Sequence, residues 1–329
     1  MHVPLPLWPA TAGLLLALAC AAAQAAPALT LADQNEATQA LLERWGETQS
    51  QPPALSYANF AGGPAILEAF RAGVIDVGIA GSTPPVQAQA AGEAVRIIAA
   101  VSHDRPAYQL AVRAGLEVPR LEALKGLKIA YAEGTARQTF VLAALRKAGL
   151  THQDVHLVPL RVSDFPDALR SGQVDVAPLI EPHFSRYVGT GADHLARFVP
   201  EQHLQGLPSD INYLYASESA LKDPAKRQAL LQLRRAWIAA NQWAQAHPDA
   251  WAQAYYVKRQ QLDPADAQRI VESQGNLTVP TLAELIPTQQ AVIDLIYAAG
   301  DLPAHLQARD EFDLEFAREA EQQEAVHAR

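Results

Sequence analysis

Residues 70–79, FRAGVIDVGI, are matched without a gap by residues 169–178, LRSGQVDVAP. Arg71, Gly73, Asp76 and Val77 in the first stretch answer to Arg170, Gly172, Asp175 and Val176 in the second. Each copy reads as a helix end, a glycine stop, an acidic residue and a buried strand. Two copies cannot make a stacked array, so the pattern predicts two similar α/β lobes. A generic helix-to-strand loop is the competing reading of so short a match.

The surrounding chain carries the same alternation. Strands are expected at Leu29–Leu31, Leu55–Asn59, Val74–Ala80 and Arg96–Val101, with helices up to Gly46 and over Ala65–Arg71 between them. The series restarts with strands at Leu127–Ala132 and Val155–Leu160 and helices at Gln138–Lys147 and Asp164–Arg170. Strand and helix at such spacing predict βαβ units and a mostly parallel sheet in each lobe. Extended segments at Tyr108–Val112 and Ile211–Tyr215 read as two hinge crossings. The expected organisation is residues 26–107 with 216–302 as the first lobe and 108–215 as the second. Beyond Asp223, an N-cap before Pro224, the chain reads as helical, and Thr281 with Glu284 forms a capping box. Residues 303–329, charged and of mixed sign, read as a solvated helical tail.

Composition narrows the function classes. The chain has 329 residues, 49% of them hydrophobic, enough for a large core. Its formal charge of -9, without a block of like charges, excludes a nucleic-acid-coating surface. Residues 14–23, LLLALACAAA, followed by Ala23-Gln24-Ala25, read as a secretory signal over residues 1–25, although the preceding MHVPLPLWP has no Lys or Arg. Cys20 keeps a lipoprotein anchor open, with Leu18 where a small residue is usual. Cleavage after Ala25 would remove the one cysteine, leaving no thiolate nucleophile and no cysteine metal ligand. A periplasmic protein that meets the membrane only through a partner is the expectation.

Candidate site residues cluster at expected strand ends, where open α/β sheets bind ligands. Gly81-Ser82-Thr83 precedes Pro84-Pro85. Residues before proline avoid the α region, so Thr83 and Pro84 are expected to stay extended, with the helix starting near Pro85. The turn would then offer helix N-terminal donors to an anion, while simple N-capping by Ser82 or Thr83 explains the same residues. Gly134-Thr135-Ala136-Arg137 repeats the logic, with Arg137 as a bidentate donor or a solvated first-turn residue. Glu181 either holds an amine or caps a helix beginning at Pro182. Asn59-Phe60-Ala61-Gly62-Gly63-Pro64 supplies flexible backbone before a third proline-started helix. His103-Asp104-Arg105 either borders the cleft or forms a surface turn. His152 and His156 fall across a strand start and share no helix face, so no metal is expected, and no catalytic or cofactor motif appears.

Several of these stretches together resemble periplasmic substrate-binding proteins of ABC importers, in the aliphatic sulfonate, taurine and nitrate group. They are Gly62-Gly63-Pro64-Ala65-Ile66-Leu67-Glu68-Ala69, Ile75-Asp76-Val77-Gly78, Thr83-Pro84-Pro85 and Ala88-Gln89-Ala90-Ala91-Gly92. Leu124-Lys125-Gly126-Leu127-Lys128-Ile129-Ala130, Gly134-Thr135, Ala148-Gly149-Leu150, Gly172 and Glu181 complete the set, in order across residues 29–302. The resemblance implies a two-lobed type II binding-protein fold, each lobe a doubly wound mixed sheet with flanking helices. It also implies a monomer without cofactor, closure on a small molecule, and delivery to an ABC permease with its ATPase. Asn35, Phe60, Gly62, Gly81, Ser82, Thr83, Gly134, Thr135, Arg137, Glu181 and Tyr213 are the expected ligand contacts. The acidic loop Asp33-Gln34-Asn35-Glu36 and Glu181 suit an amine, so a zwitterion such as taurine stands beside a plain sulfonate as the expected ligand. The alternatives are an aromatic precursor such as a pyrimidine, stacked on Tyr213, Tyr215 and Phe60, and an enzyme on the same fold.

Overall fold

The computed structural model describes residues 29–48, 52–60, 62–105, 107–181, 183–189, 197–208 and 211–327. The expected signal segment, Cys20, Ala61 and Pro182 lie outside them. Among the described residues eleven strands form two sheets. The first contains β1 (Leu29–Gln34), β2 (Leu55–Phe60), β3 (Val77–Ala80) and β4 (Val95–His103). The second contains β5 (Gln109–Val112), β6 (Lys128–Tyr131), β7 (His156–Pro159), β8 (Val176–Leu179) and β9 (Arg197–Phe198). The chain then returns to the first sheet with β10 (Ile211–Ser217) and β11 (Leu277–Thr278). The strand orders are β11-β4-β10-β3-β1-β2 and β7-β6-β8-β5-β9.

The two sheets share a plan. In the first, β1 pairs parallel with β2 and β3, and β10 runs antiparallel beside β3. In the second, β6 pairs parallel with β7 and β8, and β5 runs antiparallel beside β8. The repeated aspartate explains its own recurrence. Asp76 Oδ2 accepts from the Thr30 amide at 2.9 Å, and the Asp76 amide donates to Thr30 O. Asp175 Oδ2 accepts from the Lys128 amide at 2.9 Å, and the Asp175 amide donates to Lys128 O. Each aspartate thus satisfies an amide at the start of the neighbouring parallel strand, a donor that would otherwise lack a partner at the sheet end. A cation completes each site: Lys226 Nζ lies 2.7 Å from Asp76, and Arg113 Nε lies 2.6 Å from Asp175. Gly73 and Gly172 turn the chain between helix and aspartate at φ 66° and 73°, where a side chain is strained.

Both crossings sit at one place. β4 and β10 pair antiparallel along their lengths, with Ser102 opposite Ile211 at the end where the chain leaves and re-enters. Asp104 fastens the exit: its carboxylate accepts from the Asn276 amide at 2.7 Å and from Asn276 Nδ2 at 2.8 Å. The His103-Asp104-Arg105 turn is therefore a staple beside the hinge. The expected return point after Tyr215 falls inside β10, every residue of which belongs to the first sheet. A central strand flanked on both sides by partners looked like a crossing because it is extended and apolar.

The last residues are not a solvated tail. The last helix, Leu314–His327, lays Phe316 (0% exposed), Ala317 and Ala320 into the first lobe's core. Phe312 forms a bridge with Ile97. Arg227, on helix Pro224–Ala246, donates twice to Glu319 and lies over the Phe316 ring at 5.3 Å, and Arg234 of the same helix pairs with Glu324. Two of the charges that give this segment a solvated look, Glu319 and Glu324, are paired with arginines of helix 224–246.

Candidate functional site

The turn after β3 is built differently from its sequence reading. Ser82 already has helical dihedrals (φ -70°, ψ -25°), and the helix runs Thr83–Ala90, with both prolines in its first turn. Proline is tolerated there because first-turn amides have no intrahelical acceptor anyway. The expected extended Thr83 and Pro84 are thus overturned. The pre-proline bias yields to two tertiary ties: Gln289 Nε2 donates to Ser82 O at 2.8 Å, and the Thr83 side chain is buried. The Ser82 hydroxyl makes no capping bond.

The structure brings this turn against its counterpart in the second lobe. Thr83 Oγ1 lies 2.7 Å from Thr139 Oγ1, both groups being buried. Thr139 stands on helix Ala136–Lys147, four residues beyond Thr135 and so on the same helix face. A Cβ on Gly81 would stand 3.0 Å from Ala136 Cβ, and one on Gly134 would stand 3.3 Å from Pro64 Cγ. Gly62, the N-cap of helix Gly63–Arg71, lies behind Pro64. Three helix starts therefore converge at the lobe boundary, and the lobes are closed on each other.

Two expected donors are already engaged. The Gly134 amide donates to Gln138 Oε1 at 2.8 Å, and Thr135 Oγ1 donates to Ala132 O at 2.7 Å within its own turn. Arg137 differs. Its guanidinium lies 5.6 Å from the centroid of the buried Tyr108 ring, and its Nε is buried without a hydrogen-bond partner. Among the described residues no carboxylate pairs with it. A buried guanidinium N–H without an acceptor is costly, and an anion is the group that would relieve it. His183 stands nearby. Desolvation, then the positive charges of Arg137 and Arg186, hold its pKa below the usual imidazole value.

The acidic groups that suggested an amine are all occupied. Asp33 Oδ1 accepts from the Gln34 and Thr38 amides at 2.8 and 3.1 Å, and Oδ2 accepts from Gln39 at 2.8 Å. Burial pushes its pKa up, opposed by those three amides. Asp33 thus anchors the start of helix Ala37–Gly46. Glu36 pairs with Arg259 at 3.2 Å. Glu181 accepts from Ser185 Oγ at 2.7 Å and from the Ser185 amide at 3.2 Å, which selects the capping role, here for helix His183–Val188. Asn35 presents its carbonyl to Tyr255 and Gln260 and leaves its side chain exposed.

The aromatic residues expected at the ligand lie in the core. Tyr213 and Tyr215 are both 0% exposed, packed on Phe312 and Phe70 in the first lobe's core. Phe60 packs against the same core. Both faces of β10 are covered, Leu214 and Ala216 packing into one core cluster and Tyr213 and Tyr215 into the other, so neither tyrosine can stack on a ligand. Tyr213 reaches the site only through Gln289, to whose Oε1 its hydroxyl donates at 3.2 Å.

Gln289 also donates to Glu311 Oε2 at 2.6 Å. Burial pushes Glu311 up to about 8 from 4.5. Its folded pKa is raised, so its contribution to stability is fully present below 4.5 and is lost as pH rises towards about 8. Thermal midpoints measured from pH 5 to 9 are expected to fall more steeply for the wild type than for Glu311→Gln, which keeps the shape without the charge. Parallel curves would show that Glu311 does not titrate in this range.

Two lobes with type II strand order, closed by converging helix starts at a two-strand hinge, define the periplasmic binding protein fold. The chain matches the NMT1/THI5-like family over residues 57–251 and belongs to it. It is 33% identical over 131 residues to a putative aliphatic sulfonates-binding protein of Escherichia coli (strain K12), a stretch covering 40% of this chain and 41% of that protein. It is 22% identical over 266 residues to the protein of the same description from Bacillus subtilis (strain 168), covering 81% and 78%. The alkanesulfonate-binding protein SsuA from Xanthomonas axonopodis pv. citri, bound to MOPS, superposes with a TM-score of 0.74 at 24% identity, covering 87% of this chain and 97% of that one.

Proposed function

We propose that this protein is an extracytoplasmic solute-binding protein. It takes a small organic anion of the sulfonate class between its lobes and delivers it to an ABC permease with its ATPase. The observation that carries the ligand charge is the partnerless, buried Nε of Arg137 at the lobe boundary. The likeness to sulfonate-binding relatives supports the ligand class. The engagement of Asp33, Glu36 and Glu181 removes the support for an amine-bearing end, so a plain sulfonate is favoured over taurine. The burial of Tyr213 and Tyr215 removes the support for a stacked pyrimidine. Export by residues 1–25, the monomeric state and the absence of catalysis belong to the same reading.

Calorimetry on the protein from Ala26 onward, with alkanesulfonates, taurine and a pyrimidine precursor, tests it. An alkanesulfonate is expected to bind at least 10-fold tighter than taurine, a difference of about 1.4 kcal/mol. Equal or tighter taurine binding would restore the zwitterion. Failure of every sulfonate to bind, or turnover of a sulfinate, would sink the reading.

A further inference from the structure

The two turns at the lobe boundary are held from behind in the same way. Each is gripped by a fully buried glutamine, Gln138 or Gln289. Gln289 Nε2 donates to Ser82 O and to Glu311, while its Oε1 accepts from Tyr213. Gln138 Oε1 accepts from the Gly134 amide, and its Nε2 donates to Asp301 Oδ2 at 2.7 Å. The same Asp301 oxygen accepts from Tyr131 Oη at 3.0 Å. A carboxylate only accepts, so it draws the NH2 end of a glutamine towards itself and fixes where the amide oxygen points. Asp301 thus dictates that Gln138 offers its oxygen to Gly134.

Asp301 is anchored to the first lobe: Ile293, Ile296 and Leu302 around it pack in that lobe's core, while Leu295 and Ala299 face the second. It follows helix Leu282–Ala298, where Gly300 at φ 85° donates to Tyr297 O and the Asp301 amide donates to Ile296 O. This is a Schellman closure, which sets the direction of the next side chain and needs a residue without Cβ at the left-handed position. The segment beyond is tied down by Gln290, which donates to Leu306 O and accepts from the Ala308 amide. Tyr131 and Gln138 both belong to the second lobe. The Asp301 bonds are therefore charge-assisted, join the two lobes and use protein groups alone.

We propose that Asp301 is a positioning residue: fixed to the first lobe, it holds the Gly134 turn of the second lobe through Gln138 and favours the closed arrangement before ligand arrives. A latch of this kind raises the fraction of molecules competent to hold ligand, and apparent affinity scales with that fraction. The affinity part rests on the proposed function, whereas the closure part does not.

The test is made on ligand-free protein, with spin labels at Val74→Cys and Gln173→Cys, exposed positions one per lobe, in a Cys20→Ser background. Asp301→Ala is expected to add a longer interlobe distance that the parent lacks. Asp301→Asn should restore most of the closed population, because both bonds use one oxygen, which an amide oxygen can replace. With an alkanesulfonate, Asp301→Ala should bind about 10-fold weaker and Asp301→Asn within about 3-fold of wild type. A merely structural role would lower the thermal midpoint and leave the distance unchanged, and an unchanged distance overturns the proposal. Should Asp301→Ala not fold, Tyr131→Phe, which removes one of the two bonds, takes its place: a longer distance supports the latch and an unchanged one overturns it. Failure of sulfonates to bind, with the distances shifting as stated, would overturn the ligand reading and leave the latch standing.

Discussion

Arg137→Ala is expected to weaken binding of an alkanesulfonate by about 100-fold, the loss of ~3 kcal/mol for a charge-assisted bond in a desolvated site. The effect is large because the turn donors beside Arg137 are already engaged. The Gly134 amide is spent on Gln138 and the Thr135 hydroxyl on Ala132. Arg137→Lys keeps the charge but loses the planar fork and its stacking on Tyr108, so roughly a 10-fold loss is expected. A second readout needs no ligand. Removing the Arg137 charge should raise the pKa of His183 towards its ordinary value, followed by NMR titration of the imidazole. An affinity within 2-fold of wild type in Arg137→Ala would place the anion elsewhere.

Phe316→Ala should destabilise the protein by ~3–5 kcal/mol, the cost of deleting a wholly buried aromatic ring. At about 2–4 °C per kcal/mol for domains of this size, the thermal midpoint should fall by roughly 10 °C. The ring lies between Arg227 and the core beneath β4 and β10, away from the lobe boundary, so affinity below the melting range should not move. A midpoint unchanged by the substitution would return the last helix to solvent.

Legibility in the sequence followed the range of the interactions. The strand–helix alternation and the repeated Gly-x-x-Asp-Val are local, and they gave the two lobes. The turns at Gly81-Ser82-Thr83 and Gly134-Thr135 were legible because strand ends and helix starts are local too. What those turns touch was not. Gln289 meets Ser82 across 207 positions and Asp301 meets Gln138 across 163, and no local pattern marks either pair. Thr139 was within reach, since it repeats Thr135 one helical turn later. The acidic loop misled for a related reason: a sequence displays a carboxylate but not its partner, and Asp33 spends both oxygens on backbone amides. Tyr213 and Tyr215 were misplaced because alternation cannot tell an edge strand from a central one covered on both faces.

The pairing of β4 with β10 at the crossings has a practical outcome. Everything between them leaves and returns through neighbouring strands of one ladder, so the second lobe is a single insert carried on a shared pivot. A body mounted on one pivot has, to first order, one angle to change. A donor and an acceptor dye, one on each lobe, would then convert ligand concentration into a single optical ratio, making the protein a ready frame for a reagentless sensor.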